Sequence, residues 1–264
     1  MDFELNSEQK MWQRSVRDFC EAEVKPYAAE VDETGQLHWE SIRKMRDVGL
    51  LSLEVPEEHG GVEVDAISAA IASEELGRAC GSTALSVVAH NGLGCAPIRR
   101  WGTAEQQAKW FPALTSGEVL GALGLTEPSA GSDLMAVQTT ARQDGDEWVI
   151  DGAKAWITNA KIAPVITVLL RTGNSGGSRD FSMILVDTTT PGLTIDAPEK
   201  KMGLKGSPTS MLSFENVRVP LDSMLGEHGG GFQQTMQTLD SGRIGIGALS
   251  VGLAQAAFEE AVNY

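Results

Sequence analysis

The sequence predicts an α+β protein with an N-terminal helical domain, a middle domain built as an antiparallel β-sandwich or barrel, and the start of a C-terminal helical bundle. Three observations predict this order. Apolar residues recur at helical spacing up to about residue 117, short runs rich in Val, Ile, Leu and Thr follow, and a helical pattern returns from Gly231. We therefore place the domains at residues 1–117, 118–222 and 223–264.

The first domain contains several predicted helices with recognisable start signals. They cover residues 7–31, with Ser7 as N-cap, and residues 39–48; further helices start at Asp65 and at a capping box formed by Thr103 and Gln106. The acidic pairs Glu57–Glu58 and Glu74–Glu75 are expected on solvated faces.

The middle domain is predicted from seven short apolar runs separated by turn signals. The runs are VLGALGL, VQTTARQ, EWVIDGAKAWIT, VITVLLRT, FSMILVD, GLTIDA and MLSFENVRV. Asp144–Gly145 joins the second and third runs, and such a pair favours a tight hairpin.

The last predicted helix is apolar and rich in small residues. We expect Ala248, Ala254, Ala256 and Ala257 to allow close approach of neighbouring helices, so that this segment packs against a partner or against chain that follows it.

Composition excludes several classes of protein. The chain has 264 residues, of which 42% are hydrophobic and 22% charged, and its net charge of -15 argues against nucleic-acid binding. The N-terminus has no leader pattern and no apolar run reaches about 18 residues, so we expect a cytoplasmic protein without membrane insertion. The three cysteines, Cys20, Cys80 and Cys95, lack metal-ligand spacing and are expected as buried free thiols in a reducing compartment.

Two segments are candidates for ligand binding. In LTEPSAGSD, residues 125–133, Pro128 restrains the backbone while Gly131 leaves N–H groups accessible and Ser132 adds a hydroxyl, so the loop is either a plain turn or a cradle for an anion or a polar ring edge. In WIT, residues 156–158, the indole and the threonine hydroxyl stand at a predicted strand end, either as structural residues or facing a planar ligand.

Other chemistries find no support in the sequence. Gly242, Gly245 and Gly247 lie within a predicted helix and follow no strand, so they do not form a Rossmann fingerprint; they favour close helix packing, with Arg243 either at that interface or at a substrate. The four histidines are scattered over predicted loops and helix ends, no G-x-S-x-G elbow occurs, and no metal site is expected. Any redox chemistry must therefore come from a cofactor.

Ordered motifs along the whole chain identify a family resemblance. VPEEHGG, LTEPSAGSD, DGAKAWITN, GLKGSPTSMLSFENVRVP and LDSGRIGIGALSVGLAQ occur in the order found in acyl-CoA dehydrogenases, and the chain resembles the short-chain, butyryl-type branch of that family. The resemblance implies a helical domain, a β-domain and a helical bundle, with FAD bound without a Rossmann fold.

The resemblance also implies site residues. Those along the flavin would be Leu123, Leu125, Thr126, Gly131, Ser132, Trp156, Ile157 and Thr158, with Thr158 near N5. Those meeting the acyl-CoA would be Ser132, Asp240, Gly242 and Arg243.

The implied reaction is α,β-dehydrogenation of short or short-branched acyl-CoA thioesters, as in fatty acid β-oxidation. Electrons would pass from FAD to an electron-transfer flavoprotein, and the protein would be a homo-oligomer, a dimer or a tetramer. The base is expected beyond Tyr264, because the alternative family position, immediately before Arg243, is Gly242. Two alternatives stay open: a non-catalytic subunit or fragment that binds acyl-CoA and FAD but lacks the base, and a related flavin oxidase or monooxygenase.

Overall fold

The computed structural model describes residues 4–264, in which strands lie between two helical regions. The helices are α1 (Ser7–Glu23), α2 (Ala28–Thr34), α3 (Trp39–Asp47), α4 (Ala66–Ala79), α5 (Gly81–Ala89), α6 (Ala96–Trp101), α7 (Ala104–Leu114) and α8 (Gly231–Asn263). The strands are β1 (Ala122–Gly124), β2 (Thr140–Asp144), β3 (Glu147–Thr158), β4 (Val165–Arg171), β5 (Phe181–Asp187), β6 (Leu193–Ile195), β7 (Thr209–Pro220) and β8 (Met224–Leu225). This succession confirms the predicted α+β class.

Local side-chain chemistry determines where the helices begin. The N-cap of α1 is Asn6, not Ser7 as predicted: the Asn6 side chain accepts the Gln9 N–H at 2.8 Å, and the Gln9 side chain accepts the Asn6 N–H at 3.1 Å. The predicted capping box at Thr103 and Gln106 is confirmed. Asp65 also caps α4 as predicted, since its carboxylate accepts two backbone N–H groups of the first turn.

The helix predicted over residues 7–31 is two helices. α1 ends at Glu23, and a short 3₁₀ turn containing Pro26 separates it from α2. Proline has no N–H to continue the hydrogen-bond ladder and its ring clashes with the preceding turn, so the apolar spacing alone overestimated the helix length.

The eight strands pair into one sheet in the order β6-β7-β3-β2-β4-β5-β8, with β1 also paired to β4. The predicted hairpin joins β2 to β3, but Asp144 still pairs with Glu147, so the two-residue loop is Gly145–Asp146, and Gly145 has a φ of +63°. The sheet departs from the predicted antiparallel sandwich or barrel because β1 and β2 both pair with β4 in parallel. Turn sequences indicate hairpins between neighbouring strands but carry no signal for such non-local pairs.

Helix α8 packs closely against α4 through glycines. A Cβ on Gly252 would lie 2.0 Å from the Glu74 carbonyl oxygen, and one on Gly77 would lie 2.4 Å from the Leu249 carbonyl oxygen. Only a residue without a side chain fits where two helix backbones nearly touch. The alanines expected to face a partner or following chain lie apart from this contact, and Ala254 and Ala257 are exposed.

Two interior features bear on the sequence predictions. Cys20, Cys80 and Cys95 are buried free thiols, as predicted. Glu75 was expected on a solvated face but is buried, and Arg17 pairs with it through two hydrogen bonds of 2.7 and 3.0 Å. A buried carboxylate needs such a partner, which lies far away in the sequence. Within residues 4–264, no helix has both the length and the apolar character needed to cross a membrane.

Candidate functional site

An open groove lies where the C-terminal part of α5 faces β1, the end of β3 and α8. Six of the residues predicted to contact a cofactor line this groove: Leu123, Leu125, Thr126, Trp156, Ile157 and Thr158. The structure therefore brings together two segments that lie about thirty residues apart in the sequence, the strand β1 with its following loop and the end of β3.

A second hollow adjoins the groove and is almost entirely apolar. Gly242 and Arg243 of α8 line it together with Leu85, Val88 and Ile246. The two hollows share Ala89, Leu93, Thr158 and Leu239. A ligand in the groove and one in the apolar hollow would thus meet beside the Thr158 side chain.

Trp156 owes its position in the groove to an irregular strand. The register of β3 against β7 shifts between Lys154 and Ile157, and Trp156 has a φ of +61°. Such a bulge redirects one side chain out of the alternation of the strand. The Trp156 side chain is 60% exposed, whereas its neighbours Ala155 and Ile157 are buried. A large aromatic surface is therefore left uncovered at the mouth of the groove.

The end of β3 is fixed to the helical domain by Asn159. This residue also has a positive φ of +65°, and its Nδ2 donates to the carbonyl oxygens of Ser86 at 2.9 Å and Gly121 at 3.2 Å. These bonds join β3 to α5 and to the approach to β1, so the wall formed by residues 156–158 is held on both sides.

A buried ion pair fixes the facing loop. Lys154 Nζ donates to Glu127 Oε1 at 2.8 Å and to the Leu125 carbonyl oxygen at 3.1 Å, and both side chains are almost completely buried. Burial alone would raise the pKa of Glu127, but the Lys154 ammonium and the hydrogen bonds to the carboxylate outweigh it, so the pKa is lowered. Glu127 is therefore ionised at neutral pH and holds Lys154 as its counter-ion.

His90 links the helical domain to β1 from below the groove. It lies at a helix end, as predicted: it is the C-cap of α5 and begins a π-helical segment, residues 90–95, and it is fully buried. Its Nδ1 accepts the Gly121 N–H at 2.8 Å, so its Nε2 carries the proton and donates to the Leu51 carbonyl oxygen at 2.9 Å. Burial lowers the pKa of His90 to about 4.

Three predicted site residues lie outside the two hollows. Gly131 and Ser132 are exposed in the loop that follows the groove, and a Cβ on Gly131 would meet no atom within 4 Å. Asp240 is exposed on α8, where its Oδ1 accepts a hydrogen bond from Arg243 Nη1 at 2.8 Å. The carboxylate thus pairs with the one cationic side chain that lines the apolar hollow among residues 4–264, and both side chains are largely exposed to solvent.

The two hollows contain hydroxyls and an arginine but no acid among residues 4–264. The hydroxyls of Thr126 and Thr158 make no hydrogen bond to another described residue. They are available to hydrogen-bond the polar edge of a ligand. The residues that line the two hollows within residues 4–264 include no general base for proton abstraction.

Sequence reasoning missed the helical side of the groove and the ion pair beneath it. Ala89, Leu93 and Leu239 line the groove from the helical side but belong to ordinary apolar patterns. The one available signal for the ion pair was Lys154, a charged residue within the apolar run of β3, because a lysine that points into a core needs a buried partner.

The comparison with protein families matches nearly the whole chain. Residues 6–118 match the acyl-CoA dehydrogenase N-terminal domain, residues 122–217 the middle domain and residues 229–264 the C-terminal domain.

Curated relatives agree with this assignment. The probable acyl-CoA dehydrogenase YngJ of Bacillus subtilis is 48% identical over 100% of this chain and 70% of its own length. The human mitochondrial short-chain specific acyl-CoA dehydrogenase is 45% identical over 99% of this chain and 63% of its own length. The chain thus spans about two thirds of the length of these relatives.

Solved structures share the fold. Butyryl-CoA dehydrogenase from Megasphaera elsdenii superposes with a TM-score of 0.93 at 36% identity, over 100% of this chain and 70% of that one. An acyl-CoA dehydrogenase complexed with FAD from Bacillus anthracis gives 0.90 at 36%, over 99% and 44%. A chain from a structure described as the electron transferring flavoprotein of Acidaminococcus fermentans gives 0.95 at 38%, over 100% and 70%.

These findings confirm, for the family, the predicted enzyme class, an FAD-dependent oxidoreductase, together with the fold class and the cofactor. With three family models matched in order and relatives nearly half identical over its whole length, the chain belongs to the acyl-CoA dehydrogenase family.

Proposed function

We propose that this chain binds FAD and a short or short-branched acyl-CoA thioester in the two adjoining hollows, as part of an acyl-CoA dehydrogenase. The observation that carries the proposal is the shared wall at Thr158, where an aromatic-walled groove opens beside an almost apolar hollow. Dehydrogenation requires this arrangement, because a planar acceptor must lie against the α and β carbons of an acyl chain.

The residues present fit the flavin. The uncovered Trp156 indole and the leucines at residues 123 and 125 offer a flat apolar surface, while the Thr126 and Thr158 hydroxyls have no hydrogen-bond partner among the described residues. A ring system with one polar edge and two apolar faces would satisfy both kinds of group. When bound, FAD supplies the two-electron acceptor for the hydride that leaves the acyl β-carbon.

The chain's own side chains would bind, orient and dehydrate the substrate. Leu85, Val88 and Ile246 line an apolar hollow that would shield the acyl chain from water, and the Arg243 guanidinium stands at its wall. The loop of residues 125–133, with Ser132 exposed in it, would contact the thioester arm.

The base that removes the α-proton is proposed to come from outside residues 4–264. No carboxylate lines either hollow in that part of the chain, and Asp240, the nearby acid on α8, is exposed and paired with Arg243. The same observation favours a second candidate function: a unit that binds FAD and acyl-CoA without turnover.

Arg243 provides the sharpest test of the substrate site. We expect Arg243→Ala to raise the dissociation constant for butyryl-CoA about tenfold or more, the usual effect of losing a charged hydrogen-bond donor, while the FAD content stays unchanged. Perturbation of the flavin absorbance under anaerobic butyryl-CoA titration measures the first quantity, and the ratio of flavin to protein absorbance measures the second.

The matched control is Arg142→Ala. Arg142 is an exposed arginine on β2 that, like Arg243, pairs with an aspartate close by in the sequence, here Asp144. The substitution should leave both quantities unchanged. Loss of FAD in parallel with butyryl-CoA affinity in Arg243→Ala would make Arg243 structural. Catalytic bleaching of the flavin by the 264-residue chain alone would eliminate the binding-only function.

The electron acceptor and the assembly complete the proposal. An electron-transfer flavoprotein as acceptor is supported by the similarity to a chain in a structure described by that name. A homo-oligomer, dimer or tetramer, is supported by the apolar side chains that α8 leaves exposed, among them Val251, Phe258 and Val262. Fast reoxidation of the reduced flavin by air would instead indicate the oxidase or monooxygenase alternative.

A further inference from the structure

The two walls of the groove are joined by residues that do not line it. One wall is the loop from Leu125 onward and the other is the end of β3 at residues 156–158. Between them lie Glu127 and Lys154, both outside the lining and almost completely buried. Their hydrogen bonds connect the two walls.

Lys154 connects β3 to the loop at two points. Its Nζ donates to the Leu125 carbonyl oxygen at 3.1 Å as well as to Glu127 Oε1 at 2.8 Å. The next residue continues the connection, because the Ala155 N–H donates to the Thr126 carbonyl oxygen at 2.8 Å. Leu125, Thr126 and Glu127 are thus each hydrogen-bonded to one of the two residues of β3 that directly precede Trp156.

Glu127 fixes the other end of the loop. Its Oε2 accepts the Gln138 N–H at 2.7 Å and its Oε1 accepts the Thr139 N–H at 3.0 Å. Thr139 then returns to β3, where its hydroxyl donates to the Ala153 carbonyl oxygen at 2.9 Å. The Glu127 carboxylate therefore joins the start of the loop of residues 127–139 to its end, and Thr139 bonds in turn to the strand that carries Trp156. Arg171 of β4 holds the same loop through the Met135 and Val137 carbonyl oxygens, at 2.8 and 3.1 Å.

Holding a loop by a buried ion pair has a high cost in desolvation free energy. Removing both charges from water costs more than an apolar contact of the same volume, and replacing a buried pair by apolar residues is often neutral for stability. What such a pair provides is fixed geometry, since each hydrogen bond constrains both distance and direction. The pair at residues 127 and 154 is thus better explained by positioning than by stability alone.

We propose that Glu127 and Lys154 form a positioning pair that sets the width of the flavin-binding groove, an inference that rests on the proposed function. Neither residue lines the groove. They act through Leu125, Thr126 and the β3 backbone, which present the lining side chains.

The test compares Lys154→Met with the double variant Glu127→Gln/Lys154→Met. The single variant leaves a buried carboxylate without its counter-ion and is expected to fold poorly. The double variant has no charge at these two buried positions, so its unfolding midpoint in urea is expected near that of the wild type. It nevertheless lacks the Nζ bond to Leu125, and we expect its FAD dissociation constant to rise about tenfold.

Flavin fluorescence titration measures the dissociation constant, and the visible circular dichroism of bound FAD reports the position of the ring. Glu147→Gln is the matched control: it neutralises an exposed carboxylate at the opposite end of β3, paired with Arg218 at 3.0 Å. The control should keep both the dissociation constant and the dichroism of the wild type. A folded double variant with wild-type values for both would overturn the proposal.

A second measurement needs no flavin. Hydrogen exchange at the Gln138 and Thr139 amides should be faster in the FAD-free double variant, while the Val168 and Leu169 amides of β4 remain protected. Unchanged protection at Gln138 and Thr139 would show that the carboxylate does not hold the loop and would overturn the proposal. Failure of the wild-type chain to bind FAD at all would instead overturn the proposed function, and the exchange rates would still decide whether the pair anchors the loop.

Discussion

Trp156 shows how a strained backbone can leave a large aromatic side chain exposed at a groove. Its φ of +61° is in the left-handed region, which costs a side chain with a Cβ about 1–2 kcal/mol relative to the ordinary conformation. Its indole is 60% exposed and gains little from burial in the chain. The surrounding β3 contacts impose this conformation, and the aromatic surface they present is the one that the proposed flavin would cover.

We predict that two substitutions of Trp156 have the same effect on FAD binding but different effects on stability. Trp156→Ala and Trp156→Gly should both weaken FAD binding, but the glycine variant should be more stable than the alanine variant by about 1 kcal/mol, because glycine adopts positive φ without strain. Urea unfolding of the two FAD-free variants measures the difference.

The same two substitutions at Arg142, an exposed residue of β2 with ordinary φ, provide the control. There glycine should be the less stable variant, because it adds only conformational entropy to the unfolded chain. An alanine variant at residue 156 as stable as its glycine counterpart would show that the local backbone is unstrained.

At the scale of elements, the contact between α4 and α8 depends on which helical positions lack a side chain. Gly252 and Gly247 lie five residues apart on α8, but a Cβ on Gly252 would lie 2.0 Å from the Glu74 carbonyl oxygen while one on Gly247 would meet nothing within 4 Å. Replacement of glycine by alanine is therefore expected to lower the stability of the chain at one position and to raise it at the other.

We predict that Gly252→Ala destabilises the chain by about 1–3 kcal/mol, the cost of forcing a methyl group between two packed backbones. Gly247→Ala should instead stabilise it by up to about 1 kcal/mol, because alanine is the better helix former and has room. Denaturant unfolding at one pH gives both values. Equal changes at the two glycines would mean that α8 does not lie as close to α4 as described.

At the scale of elements, the order of helices and strands could be predicted from the sequence, but the way the strands pair could not. The periods of α1, α4 and α8 and the seven apolar runs are local patterns, so helices and strands could be predicted in order. The parallel pairing of β1 with β4 joins segments about forty residues apart, and the break at Pro26 depends on steric conflict with the preceding turn. At the site, the composition of residues 156–158 predicted a candidate ligand surface. The role of Lys154 and Glu127 could not be predicted, because the two residues meet as an ion pair only in the folded chain.

At the scale of the whole molecule, His90 joins the helical and β regions through one tautomer. Nδ1 must accept from Gly121 before β1, and Nε2–H must donate to Leu51 after α3. A second proton on the ring would place a donor against the Gly121 N–H and a charge in a fully buried site. Folding therefore selects the neutral ring, and the stability of the whole chain becomes linked to pH.

The sign of this linkage follows from the direction of the shift. The pKa of His90 is about 4 in the folded chain, below its ordinary value of 6.5. Above pH 6.5 the ring is neutral in both states and the contribution is fully present. As the pH falls below 6.5, the unfolded chain takes up a proton that the folded chain refuses, so stability is lost until the folded pKa is reached.

We predict that the difference in unfolding free energy between the wild type and His90→Gln shrinks by about 2 kcal/mol from pH 7 to pH 5. Taking a difference at each pH cancels the contribution of other titrating groups, and stopping at pH 5 keeps the chain above its pI of about 4.7, where solubility is lowest. Urea unfolding at half-unit pH steps measures it. A difference that stays constant over this range would show that His90 is protonated in the folded state or that its ring is not confined between Leu51 and Gly121.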